Sequence, residues 1–163
     1  MMFSPRALIC AILVAGISAP SLAADSQDTF LKEAIQGNLA EVSMGELAQK
    51  NGGSQAVKDY GRMLAADHGK ARDESIAVAK KMNIEAPKGP NSEQQDMHTK
   101  MSKMQGAAFD KMFASHMVVD HEKDIKKYQD AAKADANSDI GKYASNSLPV
   151  LQKHLKAAQA LAK

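Results

Sequence analysis

The sequence has very little cysteine and few aromatic residues. Cys10 is the only cysteine, tryptophan is absent, and aromatic side chains make up 4% of the 163 residues. One cysteine excludes a disulfide within the chain, so stability in an oxidising compartment must come from packing or from a bound metal. The scarcity of aromatic rings also removes the stacking platform on which single-stranded nucleic acids bind.

The sequence also lacks a strong charge of either sign. It contains 21 basic and 19 acidic residues, and the two signs are interleaved along the chain. A nucleic-acid-binding protein needs a basic patch or stripe, and this sequence has none. We therefore do not expect nucleic acid as a partner.

The N-terminal segment lacks a hydrophobic run long enough to cross a bilayer. Arg6 is its only charge, and the apolar stretch 7–19 is shorter than a membrane span. Small residues then precede a cleavage position after Ala23 or Ala24, the pattern of a secretory signal peptide over residues 1–24. We predict export to the periplasm, with no transmembrane anchor after processing.

The remaining domain, residues 25–163, has the composition of a helical protein. It is rich in Ala, Lys, Gln, Met and Glu, and it shows no alternating apolar pattern typical of a strand. Glycine pairs, prolines and capping residues divide it into five predicted helices. Their approximate bounds are 28–50, 54–82, 92–105, 107–134 and 138 to the C-terminus.

The lengths and connections of these helices predict an all-α fold. Residues 84–91 carry two prolines and a glycine, so they form the long connection between two helical hairpins. The short third helix lies in this crossover. Two long hairpins joined in this way predict a ferritin-like four-helix bundle.

Each long helix places an ionisable residue on its apolar face. Helical periodicity assigns Glu41, His68, His121 and His154 to these four faces. Counted from the hairpin turns at about 1.5 Å per residue, the two groups of the first hairpin differ in height by about 7–8 Å, and those of the second by about 4–5 Å. We therefore expect all four side chains to meet near the middle of the bundle.

A carboxylate and three imidazoles buried together predict a metal site. Their desolvation is costly unless they are paired or share a cation, and this ligand set suits Zn, Fe or Cu. The alternative is a set of interior hydrogen bonds in which an acid fixes each imidazole tautomer. Four further residues would lie next to the ligands, without contacting the metal, and orient them: Asp67, Asp120, Asp124 and Met117.

Methionines recur on the short third helix at helical spacing. Met97, Met101 and Met104 form a stripe that fits adaptable core filling or, alternatively, a thioether set for Cu(I).

Four segments together resemble a known family. The phrases "FLKEAIQGNLAEVSMGELAQ", "RMLAADHGKA", "MVVDHEKDIKKY" and "LPVLQKHLKAAQAL" are similar to the exported bacterial proteins catalogued as domain of unknown function 4142. The resemblance covers roughly residues 28–161. It implies export and a ferritin-like helical bundle, and it implies no activity.

Di-iron chemistry is disfavoured by the residues around the histidines. Carboxylate-bridged di-iron bundles carry Glu-x-x-His on two helices. Here no histidine has an acidic residue three positions before it; those positions hold Ala65, Gln95, Phe113, Val118 and Leu151. No nucleophile motif or phosphate-binding loop points to another enzyme class.

These observations favour a periplasmic, non-enzymatic protein. We expect it to bind one divalent metal ion in the bundle interior and to serve in metal handling or envelope stress. The first alternative is an envelope interaction module that binds a protein partner without metal. A ferritin-like oxidase is the weaker alternative.

Overall fold

The computed structural model describes residues 22–163, with side chains from residue 26 onward. Nearly all of the predicted signal peptide, residues 1–24, lies outside the described residues, so its cleavage stays a prediction. The described part is all-helical, as predicted, and contains no strand. Its helices are α1 (Leu22–Asn51), α2 (Gln55–Lys81), α3 (Ser92–Ser102), α4 (Gly106–Ala134) and α5 (Asp139–Leu161).

The helix starts follow local capping chemistry. The Ser54 hydroxyl accepts the backbone N–H of Val57 at the start of α2, and Ser138 accepts that of Gly141 at the start of α5. Asn91 and Gln94 form a reciprocal capping box at α3, and Asn91 lies one residue before the predicted helix start at residue 92. Only the start of α1, at Leu22 instead of about 28, differs by more than a few residues.

The four long helices pack as two hairpins. Helix α1 packs along α2, and α4 packs along α5; α2 also contacts α5, and α1 contacts α4. Gly52 pairs with Gly106, and the Asp110 carboxylate accepts the N–H groups of Gly53 and Ser54, each at 2.8 Å. The end of α1 therefore lies beside the start of α4, and α3 with the preceding connection returns the chain along α1 and α4.

The apolar core has two parts. One contains Phe109, Phe113 and Leu64, and the other contains Leu31 and Ile140. On every long helix, buried polar residues lie, in chain order, between the residues of the two parts. These polar residues are Asn38 and Glu41 on α1, His68 and Ser75 on α2, His121 on α4 and His154 on α5, while Asn51 is buried at the end of α1.

The methionine stripe, with Met97 and Met101 on α3 and Met104 just after it, belongs mainly to this core. Met101 is fully buried, while Met97 and Met104 are partly buried and pack against the same apolar cluster as Phe109. This packing favours core filling over a thioether metal site for the stripe. None of the described helices has the length and hydropathy of a membrane span.

Candidate metal centre

Three histidines from three helices converge in the interior. His68, His121 and His154 each offer a ring nitrogen that lies within 4.8 Å of the other two. Their ring centroids are 5.1 to 5.8 Å apart. All three residues are buried, and His154 has no exposed surface. The tertiary structure therefore brings together three of the four residues predicted as metal ligands.

Hydrogen bonds determine which nitrogen of His121 and His154 carries the proton. His121 Nδ1 lies 2.9 Å from the carbonyl oxygen of Met117, and His154 Nε2 lies 2.9 Å from Asp67 Oδ2. A carbonyl and a carboxylate only accept, so both ring nitrogens donate. The lone pairs of the neutral rings are therefore on His121 Nε2 and His154 Nδ1.

Asn38 determines the tautomer of His68 in the same way. The Asn38 amide nitrogen donates to the Tyr143 hydroxyl at 2.9 Å, which directs the amide oxygen to His68 Nδ1, also at 2.9 Å. His68 Nδ1 must therefore donate, and its lone pair is on Nε2. This Nε2 atom is buried and has no hydrogen-bond partner.

Two of these three lone pairs lie on neighbouring atoms. His121 Nε2 and His154 Nδ1 are 3.4 Å apart, with no hydrogen between them in these tautomers. Two imidazole nitrogens on a tetrahedral Zn²⁺, each about 2.0–2.1 Å from the ion, lie about 3.3–3.4 Å from each other. His121 Nε2 and His154 Nδ1 therefore already have the spacing that a shared ion requires.

The pKa values favour the neutral rings that a metal needs. Burial lowers the pKa of His68 well below its usual value, and His121 and His154 lower it further. Burial and His154 lower the pKa of His121 to about 4. Burial also lowers the pKa of His154, although Asp67 acts in the opposite direction. Near neutral pH all three imidazoles therefore have free lone pairs, the state in which histidine binds metal.

Glu41 does not belong to this group of converging atoms. It is buried, with 3% of its surface exposed, but its carboxylate faces Asp120 on α4. The four residues predicted to support the ligands fall into two groups. Asp67 accepts a hydrogen bond from His154, and the backbone carbonyl of Met117 accepts one from His121. Asp120 and Asp124 lie with Glu41 instead.

Asn38 and the two tyrosines behind it were not among the predicted site residues. The Tyr143 hydroxyl, which accepts from Asn38, lies 3.2 Å from the Tyr128 hydroxyl. Asn38 is four residues after Ala34 and three before Glu41, so helical spacing did place it on the buried face of α1. A prediction based on ionisable residues alone does not include Asn38, although its amide orients His68.

A pocket of about 330 Å³ reaches the cluster from the α2 and α5 side. Its inner wall includes Asn38, Asp67 and His68, and its outer wall includes Glu74 and Asn146. The pocket provides a route by which an ion or water approaches His68.

The comparisons with known proteins identify the family. A family model described as "Domain of unknown function (DUF4142)" matches residues 14–161. The chain belongs to this family. No curated protein and no solved structure matches it. The resemblance found in the sequence is thus confirmed at the level of the DUF4142 family. Asn38 and all three histidines lie within the matched residues.

Proposed function

We propose that this DUF4142 protein binds one divalent transition metal ion, Zn²⁺ or Cu²⁺, through His68 Nε2, His121 Nε2 and His154 Nδ1. The observation that carries the proposal is the convergence of one ring nitrogen from each of three buried histidines, each of which donates its N–H outward and keeps one free lone pair. Metal-binding histidines characteristically donate their second N–H to a carboxylate or carbonyl, and this arrangement fixes the tautomer.

The fold and location proposed with this site are those of an exported protein. The four long helices form a ferritin-like bundle, and the mature chain acts in the periplasm as a non-enzymatic metal-handling protein. The contacts α1–α2, α4–α5, α2–α5 and α1–α4 support the bundle, since they close a ring of four helices. Three protein ligands leave one coordination position for water or a small ligand from the pocket beside His68.

An oxidase function has less support than metal binding. The three converging ligands are all histidines, and Glu41 is not within 4.8 Å of all of them. A carboxylate-bridged di-iron centre needs acidic ligands shared between two irons. The other alternative, an envelope interaction module, stays a prediction.

Elemental analysis tests the metal site. The protein is purified without a metal-affinity column, then supplied with micromolar Zn²⁺ or Cu²⁺ and desalted. We expect about one ion per chain in the wild type, and none in His68→Ala or His121→Ala.

His98→Ala is the matched control because His98 is half-buried on α3 and lies outside the cluster. It should bind as the wild type does. Circular dichroism establishes that each variant is folded. The proposal is wrong if the folded wild type retains no ion, or if His68→Ala and His98→Ala retain equal amounts.

A further inference from the structure

A second polar group lies between α1 and α4, on the face of α4 next to the one that carries His121. On α4, His116, Asp120 and Asp124 follow one another at four-residue spacing, so they share one face of the helix. All three line a pocket of about 370 Å³ whose wall also includes Glu41 of α1.

The register between α1 and α4 is set by two contacts. Lys127 Nζ lies 2.7 Å from Glu33 Oε2, and a Cβ atom added to Gly37 would lie 4.0 Å from Asp124 Oδ2. One turn further along each helix, Glu41 therefore faces Asp120. Both carboxylates line the same pocket.

One oxygen of these two carboxylates lacks a donor. Glu41 Oε2 is buried without a hydrogen-bond partner; among the described side chains only His68 Nε2 shares that condition. Ionised carboxylates accept hydrogen bonds and cannot donate them, so Glu41 and Asp120 repel each other unless a proton or a cation lies between them. Burial, followed by the charges of Asp120 and Asp124, raises the pKa of Glu41 well above its usual value.

Lys123 and Lys127 line this pocket, but acidic side chains outnumber them five to two, so the pocket suits a cation that keeps part of its water. Mg²⁺ and Mn²⁺ are held by oxygen ligands, and Mg²⁺ is commonly bound by one or two carboxylates with water completing the shell. The pocket has room for several waters beside Glu41 and Asp120. His116 is half-buried in the same wall, and burial lowers its pKa, which leaves its ring neutral.

We propose that Glu41 and Asp120 bind a hydrated divalent cation of the Mg²⁺ or Mn²⁺ class in this pocket, with Asp124 and His116 completing its surroundings. The site is separate from the three-histidine centre and uses different ligand atoms. It also gives Glu41 a partner on α4, whereas the sequence suggested a role for Glu41 beside the histidines.

Titration with Mn²⁺ followed by electron paramagnetic resonance tests this site, because bound Mn²⁺ loses the sharp signal of the free ion. We expect the wild type to bind one Mn²⁺ per chain. Glu41→Gln keeps the shape of the side chain and removes its charge, and it should weaken Mn²⁺ binding at least tenfold. Glu46→Gln changes an exposed residue of the same helix and should bind as the wild type does.

His68→Ala separates this proposal from the three-histidine centre. It should lose the transition metal and keep Mn²⁺, so either site can fail without the other. A wild type that binds no Mn²⁺ at millimolar supply overturns the proposal and leaves a shared proton between the two carboxylates. Equal Mn²⁺ affinity in Glu41→Gln and Glu46→Gln, with both folded by circular dichroism, overturns it as well.

Discussion

His121 Nε2 lies 3.4 Å from His154 Nδ1, and each of these atoms presents a lone pair to the other. The arrangement arises because the Met117 carbonyl and the Asp67 carboxylate accept the N–H groups on the far sides of the two rings. Two facing lone pairs repel in a metal-free interior and become an advantage when a cation lies between them. One hydrogen bond within α4 and one between α2 and α5 thus prepare the centre for metal.

The bond between Asp67 and His154 predicts a graded loss of metal affinity. Asp67→Asn still accepts the His154 N–H through its amide oxygen but removes the negative charge behind the ring. Loss of such a supporting partner typically weakens metal binding by about 10–100-fold. Isothermal titration with Zn²⁺ measures the change. Asp73→Asn, an exposed acid on the same helix, is the control, and equal affinities in the two variants would contradict the assigned role.

Asn38 predicts a stability effect that does not depend on metal. Asn38→Ala removes the acceptor of the buried His68 N–H and the donor to the Tyr143 hydroxyl. A buried polar group left without its partner costs about 1–3 kcal/mol. Urea unfolding of the metal-free protein should show this loss. Gln36→Ala alters a half-buried residue two positions earlier and should cost less; a smaller loss in Asn38→Ala would refute the expectation.

Two glycines of α2 should respond oppositely to alanine. A Cβ atom at Gly61 would lie 2.6 Å from the Gly45 carbonyl oxygen and 2.8 Å from Ala48 Cβ, whereas one at Gly69 would meet nothing within 4 Å. Gly61→Ala must separate α1 from α2 and should cost about 1–3 kcal/mol. Gly69→Ala should stabilise α2 by about 0.5–1 kcal/mol, since alanine is the better helix former. Thermal unfolding distinguishes them, and two changes of the same sign would contradict the prediction.

The stability of the metal-free protein should depend on pH through two opposing groups. Burial lowers the pKa of His121 from 6.5 to about 4, so between these values the unfolded chain binds more protons, and acidification destabilises the fold. Burial, with Asp120 adding to it, raises the pKa of Asp124 from 3.8 to about 7, so over most of the same range this group stabilises the fold as pH falls.

Single variants separate these two contributions. Between pH 7 and pH 5, His121→Gln should lose less free energy of unfolding than the wild type, and Asp124→Asn should lose more. Each group can change the slope by at most about 1.4 kcal/mol per pH unit. Urea unfolding at several pH values, with a chelator present, makes the measurement. Parallel slopes in the two variants would show that neither group titrates as described.

Much of the helical architecture was predictable because its signals are local. Ser54 and Ser138, the predicted starts of two helices, cap α2 and α5, and the prolines of residues 84–91 do separate α2 from α3. Capping and chain breaking depend on a few neighbouring residues, so they are visible in the sequence alone. The start of α1 was predicted too late because Asp28, whose residue type favours a helix N-cap, lies within a helix that already continues through it.

The burial of the site residues was also predictable. Glu41, His68, His121 and His154 all lie on inward faces, as the helical spacing of the neighbouring apolar residues indicated. Spacing determines which face a residue occupies, but it does not determine which neighbouring helix that side chain meets. Glu41 was therefore grouped with the histidines, whereas the register of α1 against α4 turns it to Asp120.

The sequence by itself determined the helices, their order and the inward faces on which the polar residues lie, since each follows from interactions within a few residues. Only the tertiary structure decided that His68, His121 and His154 meet while Glu41 joins Asp120, and that Asn38 orients His68. Those outcomes depend on rotation and register between helices far apart in the chain. Side-chain packing across the whole interior sets both, and no local pattern encodes them.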